Sequence, residues 1–186
     1  IEERAEPNNA DVIGNLTDNG QGYEEYASPG NEITTGLGDF TNNGTYYFIK
    51  NEDGTYTPTN SKTYQTANGG TAGIPSSTAN SYIPIDLTRL TGKYVVVVNA
   101  SCSSEANYDY GYATITEIST APTYSSETGR FMYVSGTSDA NDYTSAMLEG
   151  GKTYYLHLGY RKDGSSDRNS DQIVINSIKI YRANTK

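Results

Sequence analysis

Between positions 163 and 171 an oxygen-bearing side chain recurs at every second residue: Asp163, Ser165, Asp167, Asn169 and Asp171. Ca2+ gathers about six to eight hard oxygen ligands. A loop that supplies them at this density is therefore a candidate calcium site. It departs from the EF-hand loop, because its glycine stands second rather than sixth and Val174 occupies the position where a bidentate glutamate belongs. A solvated hairpin loop between two strands is the plainer reading, and it stays open beside the metal.

Tyrosine is the second chemical signal, with 18 tyrosines and no tryptophan in 186 residues. A tyrosine ring packs as an apolar surface and carries a polar tip, which suits a pleated sheet that must also touch polar ligands. Successive strand residues face opposite sides. In the run 108–117, Tyr108, Tyr110 and Tyr112 share one face, while Gly111, Ala113 and Ile115 share the other. In the run 152–161, Tyr154, Leu156, Leu158 and Tyr160 form a core-like face opposite Tyr155, His157, Gly159 and Arg161. Tyr110, Tyr112, Tyr155, His157 and Arg161 are accordingly the expected ligand-binding residues: rings to stack on a sugar, an imidazole and a guanidinium to hydrogen-bond it. The alternative is that the tyrosines thicken a leucine-poor core and only their hydroxyls reach the rim.

Catalytic groupings are not evident. The single histidine, His157, and the single cysteine, Cys102, lie in no nucleophile-elbow, zinc-protease or paired-cysteine motif. Zinc needs three or four N or S ligands, which the chain lacks. Carboxylate pairs of the glycosidase kind are numerous among 22 acidic residues, yet none stands out. The expectation is a non-catalytic protein. A net charge of −9 with no basic stripe argues against nucleic acid. No apolar run approaches the ~20 residues of a membrane-spanning helix.

These residues have to be positioned by strands. Leu, Ile, Val and Phe together number only 30, but the modest net charge and the tyrosine rings favour a folded chain over a disordered one. Alternating runs at 45–50, 55–57, 81–87, 93–101, 108–118, 130–135, 143–148, 153–161 and 172–181 are separated by turn residues, and no long stretch shows helical period. Asp53-Gly54 is a hairpin turn signal, and Pro84 moves its strand toward a sheet edge. The polar stretch 60–81 reads as a long loop. The fold class that follows is all-β, an antiparallel two-sheet sandwich of jelly-roll type spanning 31–186. Residues 1–30 read as an irregular N-terminal segment with one edge strand at 12–16.

The segments Thr91-Gly-Lys-Tyr-Val-Val-Val-Val-Asn-Ala-Ser101, Tyr110-Gly-Tyr-Ala-Thr-Ile115 and Gly150-Gly-Lys-Thr-Tyr-Tyr-Leu-His-Leu-Gly-Tyr-Arg-Lys-Asp163 resemble the tyrosine-rich β-sandwich modules of secreted, multi-modular surface proteins of Gram-positive bacteria, especially clostridia. The resemblance covers about residues 81–181. It implies a secreted or cell-surface location, other modules of a larger surface protein as neighbours, and a carbohydrate-binding or adhesin role. A neutral polysaccharide, α-glucan first, is the expected partner. A structural spacer or filament-forming sandwich is the competing expectation.

Overall fold

The computed structural model describes residue 33 and residues 37–183 in full, and the backbone of two further strands, β1 (Leu16–Asp18) and β2 (Glu24–Tyr26), which pair with each other. The expected edge strand at 12–16 lies outside the described residues except for Leu16. The described chain continues as β3 (Thr41–Asn42), β4 (Phe48–Lys50), β5 (Tyr56–Pro58), helix α1 (Lys62–Ala67), β6 (Ser77–Asp86), β7 (Lys93–Ser103), β8 (Tyr110–Thr116), β9 (Arg130–Ser135), β10 (Thr137–Thr144), β11 (Leu148–Glu149), β12 (Thr153–Lys162) and β13 (Gln172–Ala183).

Two antiparallel sheets face each other. One has the order β10-β7-β13-β5-β4, with β11 continuing along the β10 edge of β7; the other has the order β3-β6-β12-β8-β9. Pairing is nested: β8 with β9, β7 with β10, β6 with β12 and β5 with β13. That is one long antiparallel ribbon wound into two sheets, the jelly roll, which keeps exposed edges few.

The core follows from alternation. Ile83, Ile85, Ala113, Met132, Leu156, Leu158 and Tyr160 project from the five-stranded sheet against Phe48, Val96, Val98, Ile173, Ile175 and Ile180 of the six-stranded one. The valine run 95–98 is buried on both sides, because Val95 and Val97 pack with Tyr181 and Ala183 on the outer side of β7. This explains an apolar run without alternation in a central strand. Beyond Tyr82, β6 has no strand neighbour on its outer side among the described residues, since β3 pairs only with Ser81 and Tyr82. Pro84, which has no N–H to give, sits on that open edge.

Two expectations change. The stretch read as a long loop contains α1, whose N-cap Ser61 accepts from the Tyr64 backbone N–H at 3.1 Å. Six helical residues are too few to leave a readable period in the sequence. The strand expected at 143–148 is instead two: β10 begins at Thr137 and ends at Thr144, and β11 resumes at Leu148. Ser145 interrupts them with a side chain that accepts from the Val96 N–H at 2.9 Å, taking over a ladder bond.

Gly159 tests the packing of the five-stranded sheet. A Cβ there would meet the Tyr112 ring at 2.1 Å, because that ring lies across the bare backbone of β12. Gly159→Ala is expected to cost about 1–3 kcal/mol by forcing the ring off. Leu156→Ala, fully buried on the opposite face, should cost about 2–5 kcal/mol by leaving a cavity. Urea unfolding of both variants checks this; losses well under 1 kcal/mol at both would refute the packing described.

Candidate functional site

The outer face of the five-stranded sheet carries the expected ligand residues in four registered rows. Arg161 of β12 lies between Thr78 and Tyr110; Gly159 between Asn80 and Tyr112, with Tyr133 beyond; His157 between Tyr82 and Thr114; Tyr155 between Pro84 and Thr116. Strand parity thus puts Tyr110, Tyr112, Tyr155, His157 and Arg161 on one face. Their exposure differs, however.

Tyr112 and His157 are each only 1% exposed and cannot serve as open stacking rings. Tyr112 is pinned over Gly159, and burial pushes its phenol well above the ordinary tyrosine range. His157 Nε2 lies 2.9 Å from Thr116 Oγ1 and 3.2 Å from the Ile118 carbonyl oxygen, with the Tyr82 ring 5.9 Å away. Burial holds this imidazole below its usual value, and the bond to the Ile118 carbonyl opposes the shift. Four buried polar atoms in the two central rows, Asn80 Oδ1, Tyr112 OH, Thr114 Oγ1 and His157 Nδ1, have no hydrogen-bond partner within the described residues.

Tyr110, Tyr155 and Arg161 are half-buried and reach the surface. Tyr155 meets Tyr82 edge to face at 5.9 Å. Tyr110 stacks on Tyr133 at 4.4 Å and 6°, and the Arg130 guanidinium lies 3.7 Å from the Tyr133 centroid. Two groups this close to one ring must take its opposite faces, so Tyr133, 39% exposed, offers its edge and hydroxyl to solvent. The Arg161 guanidinium lies 4.4 Å from the Tyr124 ring and donates to the Tyr108 carbonyl at 2.7 Å. The sequence reading missed Tyr82, Tyr124, Arg130 and Tyr133. Tyr82 was legible as the residue opposite Ile83 and Ile85; Tyr124 lies in a loop, where no period applies.

The loop 163–171 corrects the expected ligand set. Its five oxygen side chains do not converge. Asp167 Oδ1 and Asp171 Oδ2 each accept from Lys162 Nζ at 2.7 Å, and Asp109 Oδ2 lies 3.4 Å from the same nitrogen. The cation they enclose belongs to the chain. Asn169 donates instead to the Ser104 carbonyl, and Ser165 donates to Asp163. Burial raises Asp171 to about 6, against the hydrogen bonds from Lys162, Tyr160 and the Lys62 N–H. Partial burial pushes Asp167 up as well, yet hydrogen bonds from Lys162 and the Gly73 N–H hold it below the usual carboxylate range. Burial likewise disfavours the Lys162 ammonium, but Asp167 and Asp171 keep its pKa above the ordinary value. Of the five expected donors only Asp163 joins a different group, Glu105, Asp109 and Asp163, whose carboxylates lie within 4.8 Å of one another and could hold a metal ion.

At one end of the sandwich a cleft of about 540 Å3 opens between Ile115, Ile118, Ala121, Pro122, Leu148 and Tyr154. Its walls are mainly apolar, and Ile118 at its mouth is 61% exposed.

A depressed histidine pKa has a definite sign in stability. The unfolded chain takes up the proton near 6.5, before the folded one does, so His157 contributes stability above that value and the contribution is lost as pH falls through its lower folded pKa. His157→Gln is expected to flatten the fall in urea midpoint between neutral and mildly acidic buffer. The ring resonances of this single histidine should show it still neutral below 6.5; ordinary titration would contradict the burial.

No family model matches the chain, and no curated protein matches it. Among solved structures it is similar to that of PfGH50B, a glycoside hydrolase 50 structure, with a TM-score of 0.41 and 11% identity over 81% of this chain and 23% of that one. It is also similar to TmCBM61, solved in complex with β-1,4-galactotriose, with a TM-score of 0.34 and 8% identity over 75% of this chain and 89% of that one. The chain therefore spans under a quarter of the PfGH50B chain, and likenesses at these scores carry no functional argument.

Proposed function

We propose that the protein is a non-catalytic, extracellular module that binds a neutral polysaccharide, α-glucan first, on the outer face of the five-stranded sheet. One observation carries this reading: Tyr82, Tyr110, Tyr155 and Tyr133 reach solvent together on that face, while Tyr94, Tyr112, Tyr154 and Tyr160 are buried. Ring faces and phenol hydroxyls are what a sugar's apolar and hydroxylated surfaces need. Arg161 and Arg130 are engaged by tyrosine rings and backbone carbonyls, so the face offers little free positive charge to a polyanion.

Affinity electrophoresis against starch, xylan and β-1,4-galactan tests the proposal. Tyr155→Ala should weaken retardation several-fold, as expected for loss of about 1 kcal/mol per aromatic contact, and Tyr133→Ala should weaken it by removing the exposed ring edge and hydroxyl, with the strand spectrum unchanged in both. Absence of retardation by any of the three, or retardation that neither variant alters, would favour the structural-spacer reading.

We also propose that the ion fitting Glu105, Asp109 and Asp163 is Ca2+, on the ground that the three offer only carboxylate oxygens. Binding to the folded state alone should raise the melting temperature with calcium and lower it with a chelator. Glu105→Gln should remove most of that response. Melting indifferent to both additions would reject the site.

A further inference from the structure

Lys162 ends β12 with its side chain turned inward, 1% exposed, and its amine meets Asp171, itself fully buried, just before β13. The separation from Nζ to Asp171 Oδ2 is 2.7 Å. We propose that this pair condenses into an intramolecular isopeptide bond between Lys162 Nζ and Asp171 Cγ, which cross-links the ends of the 163–171 loop.

The surroundings supply the geometry of an acyl transfer. Asp167 Oδ1 at 2.7 Å and Asp109 Oδ2 at 3.4 Å face the amine as proton acceptors. Neutralising one ammonium needs one carboxylate, and three surround it. The Tyr160 hydroxyl donates to Asp171 Oδ1 at 2.8 Å, the oxygen on which negative charge grows when the carbon is attacked. The Lys62 backbone N–H donates to Oδ2, also at 2.8 Å, and so holds the departing oxygen. Water is kept out by the segment after α1. A Cβ at Gly73 would stand 2.4 Å from Asp171 Oδ2 and 2.8 Å from Lys162 Cε, so only a glycine can close this near. Asp171 itself holds φ +49, the left-handed region that a non-glycine residue adopts at a cost, and so keeps its carboxyl on the amine. Reacting groups fixed in contact reach effective molarities of roughly 10^5–10^8 M, which is how an unactivated carboxyl can react at all.

The step balances within the pair. The nitrogen gives up two protons through Asp167 and Asp109, and its lone pair forms the bond to Cγ. The Cγ–Oδ2 bond breaks with its electrons on oxygen, which takes the two protons and leaves as water. An ammonium and a carboxylate contain every atom of an amide and a water, so no oxidant, nucleotide or metal is required.

Intact-mass measurement of the purified, denatured chain is the test. The expected mass is short by one water, with a branched proteolytic peptide carrying both Lys162 and Asp171. Lys162→Arg and Asp171→Ala should each restore the full mass. Succinimide formation at Asp53-Gly54 or Asp163-Gly164 also removes water, but it reverses in mild base and maps to those residues. A full-mass wild-type chain with Lys162 open to amine reagents after unfolding would overturn the proposal. So would a water loss that maps to either Asp-Gly pair or that persists in both variants.

Discussion

A single buried ammonium organises one end of this sandwich. Lys162 Nζ, at the end of β12, holds Asp167 and Asp171 from the 163–171 loop and lies near Asp109, just before β8. The same carboxylates reach outward to backbone. Asp171 accepts from the Lys62 N–H at the start of α1, Asp167 from the Gly73 N–H, and Asp109 from the Asp163 N–H. Three stretches distant in sequence, 60–77, 104–109 and 162–171, are therefore tied to one charge. Burying a charge is costly, and the arrangement survives only because every neighbour is paired; removing one partner of such a group costs about 3–5 kcal/mol. Since α1 has no buried residue, the polar segment 60–77 is ordered by hydrogen bonds, these and that of the buried Asn60, which donates to the Tyr160 carbonyl at 3.1 Å.

At the opposite side of the same strand the constraint is steric. Gly159 leaves a gap on the outer face of β12, and Tyr112 fills it from β8. With Tyr112 pinned, Tyr133 beside it on β9 is stacked on Tyr110 and capped by Arg130. The outer face is thereby divided. Its centre is a buried layer with four polar atoms unpartnered among the described residues, each costing on the order of 1–3 kcal/mol if nothing else satisfies it. Its margins present tyrosine hydroxyls and ring edges.

How much of this was legible depends on the physics involved. Alternation of period two is local, so Tyr154, Leu156, Leu158 and Tyr160 could be assigned to the core from the sequence, and the two sheets with them. The same alternation continued one step places Lys162 on the core side, and that was the available sign of a buried charge. Asp163, Ser165, Asp167, Asn169 and Asp171 showed a demand for cations without naming the cation, because a loop's donors look alike whether an ion or a lysine from the neighbouring strand answers them. Tyr112 and His157 were correctly placed on the outer face, but parity says nothing of what covers a face. Covering is a long-range matter, decided here by a glycine in another strand and by the carbonyl of Ile118. Helix α1 was hidden because its six residues are held by Ser61 at its cap and by Asp171, 109 residues away from Lys62.

Charge bears on what the outer face can attract. The chain carries −9 overall, while the two arginines on that face are already occupied: Arg161 by the Tyr124 ring and the Tyr108 carbonyl, Arg130 by the Tyr133 ring and the carbonyls of Tyr124 and Ser126. A guanidinium so held gives rigidity to the tyrosines around it more than field to an approaching ligand. An anionic polymer would meet net repulsion with no compensating free cation at these two positions, whereas an uncharged one would meet hydroxyls and rings already fixed in place. Ordering them beforehand lowers the entropy lost on contact, which is the physical support for the proposal that this face takes a neutral ligand.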